Sequence, residues 1–308
     1  MTAVVKIENV SKTIKGKTII DSLSFEVHKG EVFGFLGPNG AGKTTTIRMM
    51  VGLIGMTSGD ITISGHSIKN DFEKAVSQVG AIVENPEMYK FMSGYQNLQQ
   101  FARMSNGITK EKIDEVVKLV GLTDRIHDKV KTYSLGMRQR LGLAQSLLHD
   151  PEVLILDEPT NGLDPAGIRE IRDHLRMLTR EKGMAVIVSS HLLSEMEMMC
   201  DRIGIIQGGK LVDVQKVHDF IQGSEKTYEL EVSAREKALE LIQHLYPTHT
   251  FSMTASGITA PLLKEDIPNV VEAFVHDGIK IYGIKEISKT LEERFLEVTE
   301  NKEVLLHA

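Results

Sequence analysis

Residues Gly37, Gly42, Lys43 and Thr44 stand at the fixed positions of a phosphate-cradling loop, G-x-x-x-x-G-K-[ST]. Pro38, Asn39, Gly40 and Ala41 fill the variable positions, and Thr45 follows. The glycines let successive backbone N–H groups face phosphate oxygens without a Cβ in the way. Lys43 is placed to reach β- and γ-phosphates, and Thr44 to hold a magnesium ion. Such a loop needs a strand before it and a helix after it. The apolar run 31–36 is of strand length, and residues 45–50 read as the start of a helix. This context predicts a nucleotide site.

A second set of residues narrows the chemistry. Ser134 and Gly136 precede Met137, Leu141, Ala144 and Leu148 at helical spacing, so Ser134 can cap a helix whose N-terminus favours an anion. The wholly apolar run 153–156 then ends in two acids, Asp157 and Glu158, the pattern of a buried parallel strand. Asp157 can hold Mg²⁺ through water, while Glu158 can orient or deprotonate an attacking water. Asn161 to Asp164 come next, and a further apolar strand, 184–188, delivers Ser189, Ser190 and His191. A neutral imidazole at His191 can contact a γ-phosphate and hold that water. His28, His66, His174 and the histidines beyond 217 have no comparable surroundings and read as surface or packing residues.

With these five elements in this order, the chain resembles the ATP-binding subunits of ABC transporters over roughly residues 3–220. The resemblance implies an α/β fold, the ABC-type nucleotide-binding domain of the P-loop NTPases with a helical subdomain. It assigns the Walker A loop to Gly37–Thr45, the signature to Ser134–Arg138, Walker B to Leu154–Asp157, the catalytic glutamate to Glu158, the D-loop to Asn161–Asp164 and the H-loop to His191. ATP and Mg²⁺ are the implied ligands. In this family the signature faces the γ-phosphate bound by another subunit, so hydrolysis requires a second copy or a homologous ATPase, head to tail. The implied partner is an integral membrane permease subunit, which places the protein at the cytoplasmic face of the membrane. Its helical subdomain, about residues 85–150 here, forms with the Q-loop junction a groove for a helix of that permease.

Two positions depart from the wider family. The aromatic residue that usually stacks on adenine is replaced by Ile14, which offers apolar contact and no π-face. The Q-loop glutamine, expected after the strand 79–83, is replaced by Glu84. A carboxylate there can coordinate or water-bridge the metal, and it repels phosphate when the metal is missing. Glu84 with Tyr89, and Tyr133, Leu135 and Met137 around Ser134 and Gly136, resemble the bacitracin-resistance and lantibiotic-immunity branch, which implies export of an antimicrobial peptide or another amphiphile.

Composition fits this reading. The chain has 308 residues, enough for one domain of more than about 200 residues and a smaller second one. A formal charge of −6 leaves no basic footprint for nucleic acid. The single cysteine, Cys200, has no partner for an intrachain disulfide and reads as a packing thiol. No apolar run reaches the ~18–20 residues of a membrane span, and the N-terminus is unlike a signal peptide, so the membrane part of a transporter is expected on another polypeptide. The interval between Lys43 and Asp157 is too short for the coiled-coil insertion of a chromosome-type ATPase, and only one cassette is present, unlike tandem translation factors. A stand-alone ATPase serving a binding or assembly scaffold is the alternative reading.

Ser93 and Gln96 form a capping-box pattern, and Ile113, Val116, Val117 and Val120 repeat at helical spacing before Gly121. The cassette is expected over residues 1–222. Residues 223–308 are expected to form a small α+β domain in β-α-β-β-α-β order, with helices at 235–245 and 267–276 and a final amphipathic helix at 290–299. Regulation, dimer support and simple packing are all open roles for that domain, with packing or dimer support favoured.

Overall fold

The computed structural model describes residues 2–105, 107–222 and 226–287. The chain forms two compact units that divide between Val217 and His218. The first opens with a hairpin, β1 (Ala3–Ile14) and β2 (Lys17–His28), turned at Lys15 and Gly16, both with positive φ. Both strands are longer than the alternation at 4–10 and 23–27 predicts. Their pairing shifts register at several points, which breaks the two-residue period. Next come β3 (Val32–Leu36), α1 (Lys43–Met50), β4 (Ser58–Ile63), the short β5 (His66–Ser67), α2 (Phe72–Val76) and β6 (Val79–Ile82). The hairpin joins β4 and β5 in an antiparallel sheet of order β2-β1-β4-β5.

The expected helical region follows. In α3 (Gly94–Ala102), Ser93 accepts from the Gln96 backbone N–H, while the Gln96 side chain accepts from the Ser93 N–H. Helix α4 (Lys110–Leu119) is capped by Thr109 and stops before Gly121, whose φ of 65° suits a residue without Cβ. Helix α5 (Leu135–Ser146) is capped by Ser134. Strand β7 (Val153–Asp157) is buried throughout, and α6 (Pro165–Lys182) returns the chain to β8 (Ala185–Ser190). Helix α7 (Leu193–Met199), β9 (Arg202–Gln207) and β10 (Lys210–Lys216) complete the unit.

These strands build a sheet of order β10-β9-β3-β8-β7-β6, parallel except for the β9–β10 pair. With its apolar strands buried, the sheet shares a core with the first sheet and α1. Parallel strands carry their C-terminal ends to one edge, where ligands of open α/β sheets bind. Leu36, Ile82, Asp157 and Ser190 end their strands along that edge.

Beyond α8 (Val217–Gln222), the second unit runs β11 (Lys226–Val232), α9 (Arg235–Leu245), β12 (Ser252–Met253), β13 (Gly257–Leu262), α10 (Ile267–His276) and β14 (Ile281–Ile287). The four strands form an antiparallel sheet of order β12-β13-β11-β14, the ferredoxin-like arrangement. The expected helix at 290–299 lies outside the described residues. Phe274 of α10 is fully buried in this unit's own core. Phe274→Ala is expected to destabilise the unit by about 3–5 kcal/mol, the usual cost of such a cavity. A lowered thermal transition of the full chain, followed by calorimetry, checks this.

Candidate functional site

Between β3 and α1 the chain must turn sharply and expose its amides. A Cβ on Gly37 would lie 2.3 Å from the Ile206 carbonyl oxygen, so only glycine leaves the sheet here. Gly40 and Gly42 have φ of 80° and 111°, in the left-handed range. No side chain caps α1, which leaves its first N–H groups to an anion.

Lys43 opens α1 and is 6% exposed. Its Nζ donates to the Gly37 carbonyl at 2.7 Å and the Pro38 carbonyl at 3.3 Å, folding the side chain back along the loop. It also stands 3.7 Å from Glu158 Oε1. Burial pushes the ammonium below the ordinary lysine range, while the Glu158 and Asp157 carboxylates oppose that shift. Thr44 and Thr45 occupy the same first turn and line the cleft.

The acids arrive from β7. Asp157 pairs in register with Ser189 of β8, and Ser189 Oγ donates to Asp157 Oδ1 at 2.5 Å. The next residue, Glu158, takes a φ of 50°, which costs a residue with a Cβ about 1–2 kcal/mol. Its N–H, donating to the Ser189 carbonyl and hydroxyl oxygens at 3.2 and 3.0 Å, helps to hold this conformation. The turn directs the Glu158 carboxylate between Lys43 and His191, whose Nδ1 is 2.7 Å from Glu158 Oε2. The first residue of α1 and the residues that follow β7 and β8 thus form one chain, Lys43–Glu158–His191.

These groups, with Asn39, Gly40, Gly42, Asn161 and Ile19, line a cleft of about 410 Å³. Ile14, the expected base-facing residue, is paired with Lys17 at the hairpin end and is not among the lining residues. The apolar contribution from β2 is Ile19. Sequence gives no signal for it, because its place depends on how the hairpin lies over the loop.

Ser134 and Gly136 stand elsewhere. Ser134 is exposed and its Oγ accepts from the Met137 N–H at 3.2 Å, but neither residue lines the cleft. Glu84 has a φ of 67° and is ion-paired with Arg48 of α1; the glutamate side chain is exposed and the arginine half-buried. Its carboxylate therefore meets a guanidinium outside the cleft. A second hollow, about 330 Å³, lies between residues 85–90 and the start of α5, where Leu135 and Arg138 form its far wall.

The polar groups suit a magnesium–triphosphate. Thr44 lines the cleft, while Asp157, buried at the end of β7, is not among its lining residues; both offer hard oxygen donors, and no group of three His, Cys, Asp or Glu side chains able to hold a metal is present among the described residues. One or two protein oxygens supplemented by substrate phosphates is the usual protein contribution to Mg²⁺. No described helix is long and apolar enough to cross a membrane.

A glycine loop at the head of a helix, on the C-terminal edge of a parallel sheet with acids on a neighbouring strand, defines a P-loop nucleoside triphosphatase. Comparison with known proteins gives the family. The ABC transporter family model matches residues 20–161. The chain is 63% identical over 309 residues to the uncharacterized ABC transporter ATP-binding protein YhcH of Bacillus subtilis, covering 100% of both. It is 36% identical to the bacitracin transport ATP-binding protein BcrA of Enterococcus faecalis, across 96% of each chain. Among solved structures, an ATP binding subunit of an ABC transporter superposes with a TM-score of 0.64 at 26% identity, covering 71% of this chain and 92% of that one. The chain belongs to the ATP-binding subunits of ABC transporters, and its enzymatic class is ATPase.

Proposed function

We propose that this protein is the ATP-hydrolysing subunit of an exporter, working as a head-to-tail dimer beneath a separate integral membrane permease at the cytoplasmic face of the membrane. The observation that carries the reading is the Lys43–Glu158–His191 chain across the mouth of the phosphate loop.

Each residue has a task in this reading. The loop amides and Lys43 bind the β- and γ-phosphates, whose oxygens compete with Glu158 for the ammonium. Mg²⁺ would be held by Thr44 and Asp157, and when bound it neutralises charge on the phosphates. Glu158 accepts a proton from a water whose oxygen bonds to the γ-phosphorus as the bond to the β–γ bridging oxygen breaks, releasing ADP and phosphate. His191 holds the Glu158 carboxylate through its Nδ1 contact and can reach the γ-phosphate with its other nitrogen. Ser134 and Gly136 supply an anion site to a neighbouring copy or a homologous ATPase; their position off this chain's own cleft supports that assignment. Glu84, held by Arg48, belongs to the coupling of the site to the permease and to metal use, with the groove beside residues 85–90 receiving a permease helix. Ile19 gives the base apolar contact in place of an aromatic stack. The second unit packs or supports the dimer.

The bacitracin transport relative supports an antimicrobial peptide or similar amphiphile as the cargo. Affinity purification of the full chain from detergent-solubilised membranes of its own cells tests the assignment. An integral membrane protein of about six spans is expected to co-purify in stoichiometric amount and to raise ATP turnover. Recovery from the membrane-free fraction alone, fully active and with no such partner, identifies a stand-alone ATPase instead.

A further inference from the structure

Two segments deliver the reacting groups of the proposed site. One runs from Glu158 through Thr160 to Asp164, where α6 begins; the other runs from His191 into α7. A contact between their exposed tips, Glu158 and His191, links them. Behind it lies a second, buried link. Glu195, four residues after His191, is 6% exposed, and Thr160, two residues after Glu158, is 4% exposed. The Thr160 hydroxyl donates a short hydrogen bond to Glu195 Oε2.

A carboxylate so far from water is expensive unless its oxygens are bonded. Core packing alone would be served as well by an apolar side chain. The placement of this bond is therefore informative. Thr160 is at the centre of a run of turns, with the Asn161 N–H donating to the Glu158 carbonyl and the Leu163 N–H to the Thr160 carbonyl. Asp164 Oδ1 then accepts from the Gly167 N–H to start α6. Fixing Thr160 fixes the exit from Glu158 and the entry to α6 together. At the other end, Glu195 lies in the first turn of α7, which begins two residues after His191, so its anchorage limits where that ring can lie.

We propose that Glu195 is a positioning residue for ATP hydrolysis, acting through Thr160 to hold His191 and Glu158 in register. The inference rests on the reading of Glu158 and His191 given above. Without the buried bond, Glu158 keeps its N–H bonds to Ser189 at the end of β8, but beyond that root the His191 ring meets Glu158 through side chains that are 25% and 39% exposed. Misplacement of a reacting group by about 1 Å can cost on the order of 100-fold in rate. Loss of this bond is thus expected to lower kcat and to leave the phosphate loop, and with it KM, unchanged.

The test uses the full-length chain and steady-state hydrolysis of Mg-ATP, assayed well below each variant's melting temperature. Thr160→Val keeps the shape and deletes the hydroxyl; kcat is expected to fall about tenfold or more, with KM within about twofold. Thr160→Ser restores the donor and is expected to recover most of that loss. In a His191→Ala background, Thr160→Val is expected to cost little further, because the brace acts by holding Glu158 and His191 relative to each other and that register is already lost. Glu195→Ala is expected to match Thr160→Val where it folds. Normal kcat in Thr160→Val, beside a crippled His191→Ala, overturns the brace alone. So does an equal loss in Thr160→Ser, or a full independent loss in the His191→Ala background. Normal turnover in His191→Ala overturns the underlying reading and the brace with it.

Discussion

Glu158→Gln is expected to retain ATP and to slow its hydrolysis by at least about 100-fold, the usual worth of a positioned general base. The substitution is nearly isosteric, and the strained turn at residue 158 is made by backbone bonds to Ser189 that an amide side chain leaves intact. What changes is the capacity to take a proton. The carboxylate 3.7 Å from Lys43 also loses its charge, so Lys43 becomes more available to phosphate and binding should tighten slightly. A closed dimer would then form and persist, since the step that clears it is blocked. Size-exclusion chromatography with Mg-ATP, beside a phosphate-release assay, reads both effects. Turnover equal to that of the unaltered chain would remove Glu158 from the base role.

Much of this site is legible in sequence because its parts are local. The phosphate loop carries its strand, its turn residues and its helix within about twenty positions. The acids end a short apolar run that reads as a buried strand, and Ser93 and Ser134 announce the helices they cap. The second unit is readable for a similar reason: its elements alternate in the order that the ferredoxin-like sheet requires, and the helices at 235–245 and 267–276 fall where their apolar spacing puts them.

Contacts that depend on strand order are not legible. Nothing near Asp157 announces that Ser189 will donate to it; that follows from β7 pairing with β8 in one register. The Thr160–Glu195 bond joins two loops whose meeting is decided by the same pairing. Glu84 shows the limit most clearly. Its neighbours in sequence identify a loop at the C-terminal edge of the sheet, yet its carboxylate is paired with Arg48, which comes from the helix after the phosphate loop. The pair offsets the charge of the carboxylate. Between solvent-accessible side chains it contributes no more than about 1 kcal/mol to stability. Ile19 rather than Ile14 likewise lines the cleft through the geometry of a bulged hairpin.

A pair of substitutions separates the two halves of the proposed composite site. Lys43→Ala removes a buried ammonium that the fold keeps against the loop at the cost of desolvation. Hydrogen bonds to charged groups are worth about 1.5–3 kcal/mol, so ATP affinity is expected to fall about 10- to 150-fold, and turnover with it. Ser134→Arg acts differently. Ser134 is exposed, caps α5 and does not line its own chain's cleft, so nucleotide binding to the monomer should stay within about twofold. Turnover should nevertheless stop, because an arginine at this helix N-terminus obstructs the approach of a second chain's γ-phosphate. Titration of a fluorescent ATP analogue distinguishes the variants, and mixing them adds a sharper reading. In a mixed head-to-tail dimer, one composite site contains both defects and the other contains neither. Two inactive preparations should therefore regain hydrolysis on mixing. Loss of monomer binding in Ser134→Arg would instead place the signature at its own chain's nucleotide, and the head-to-tail arrangement would have to be abandoned.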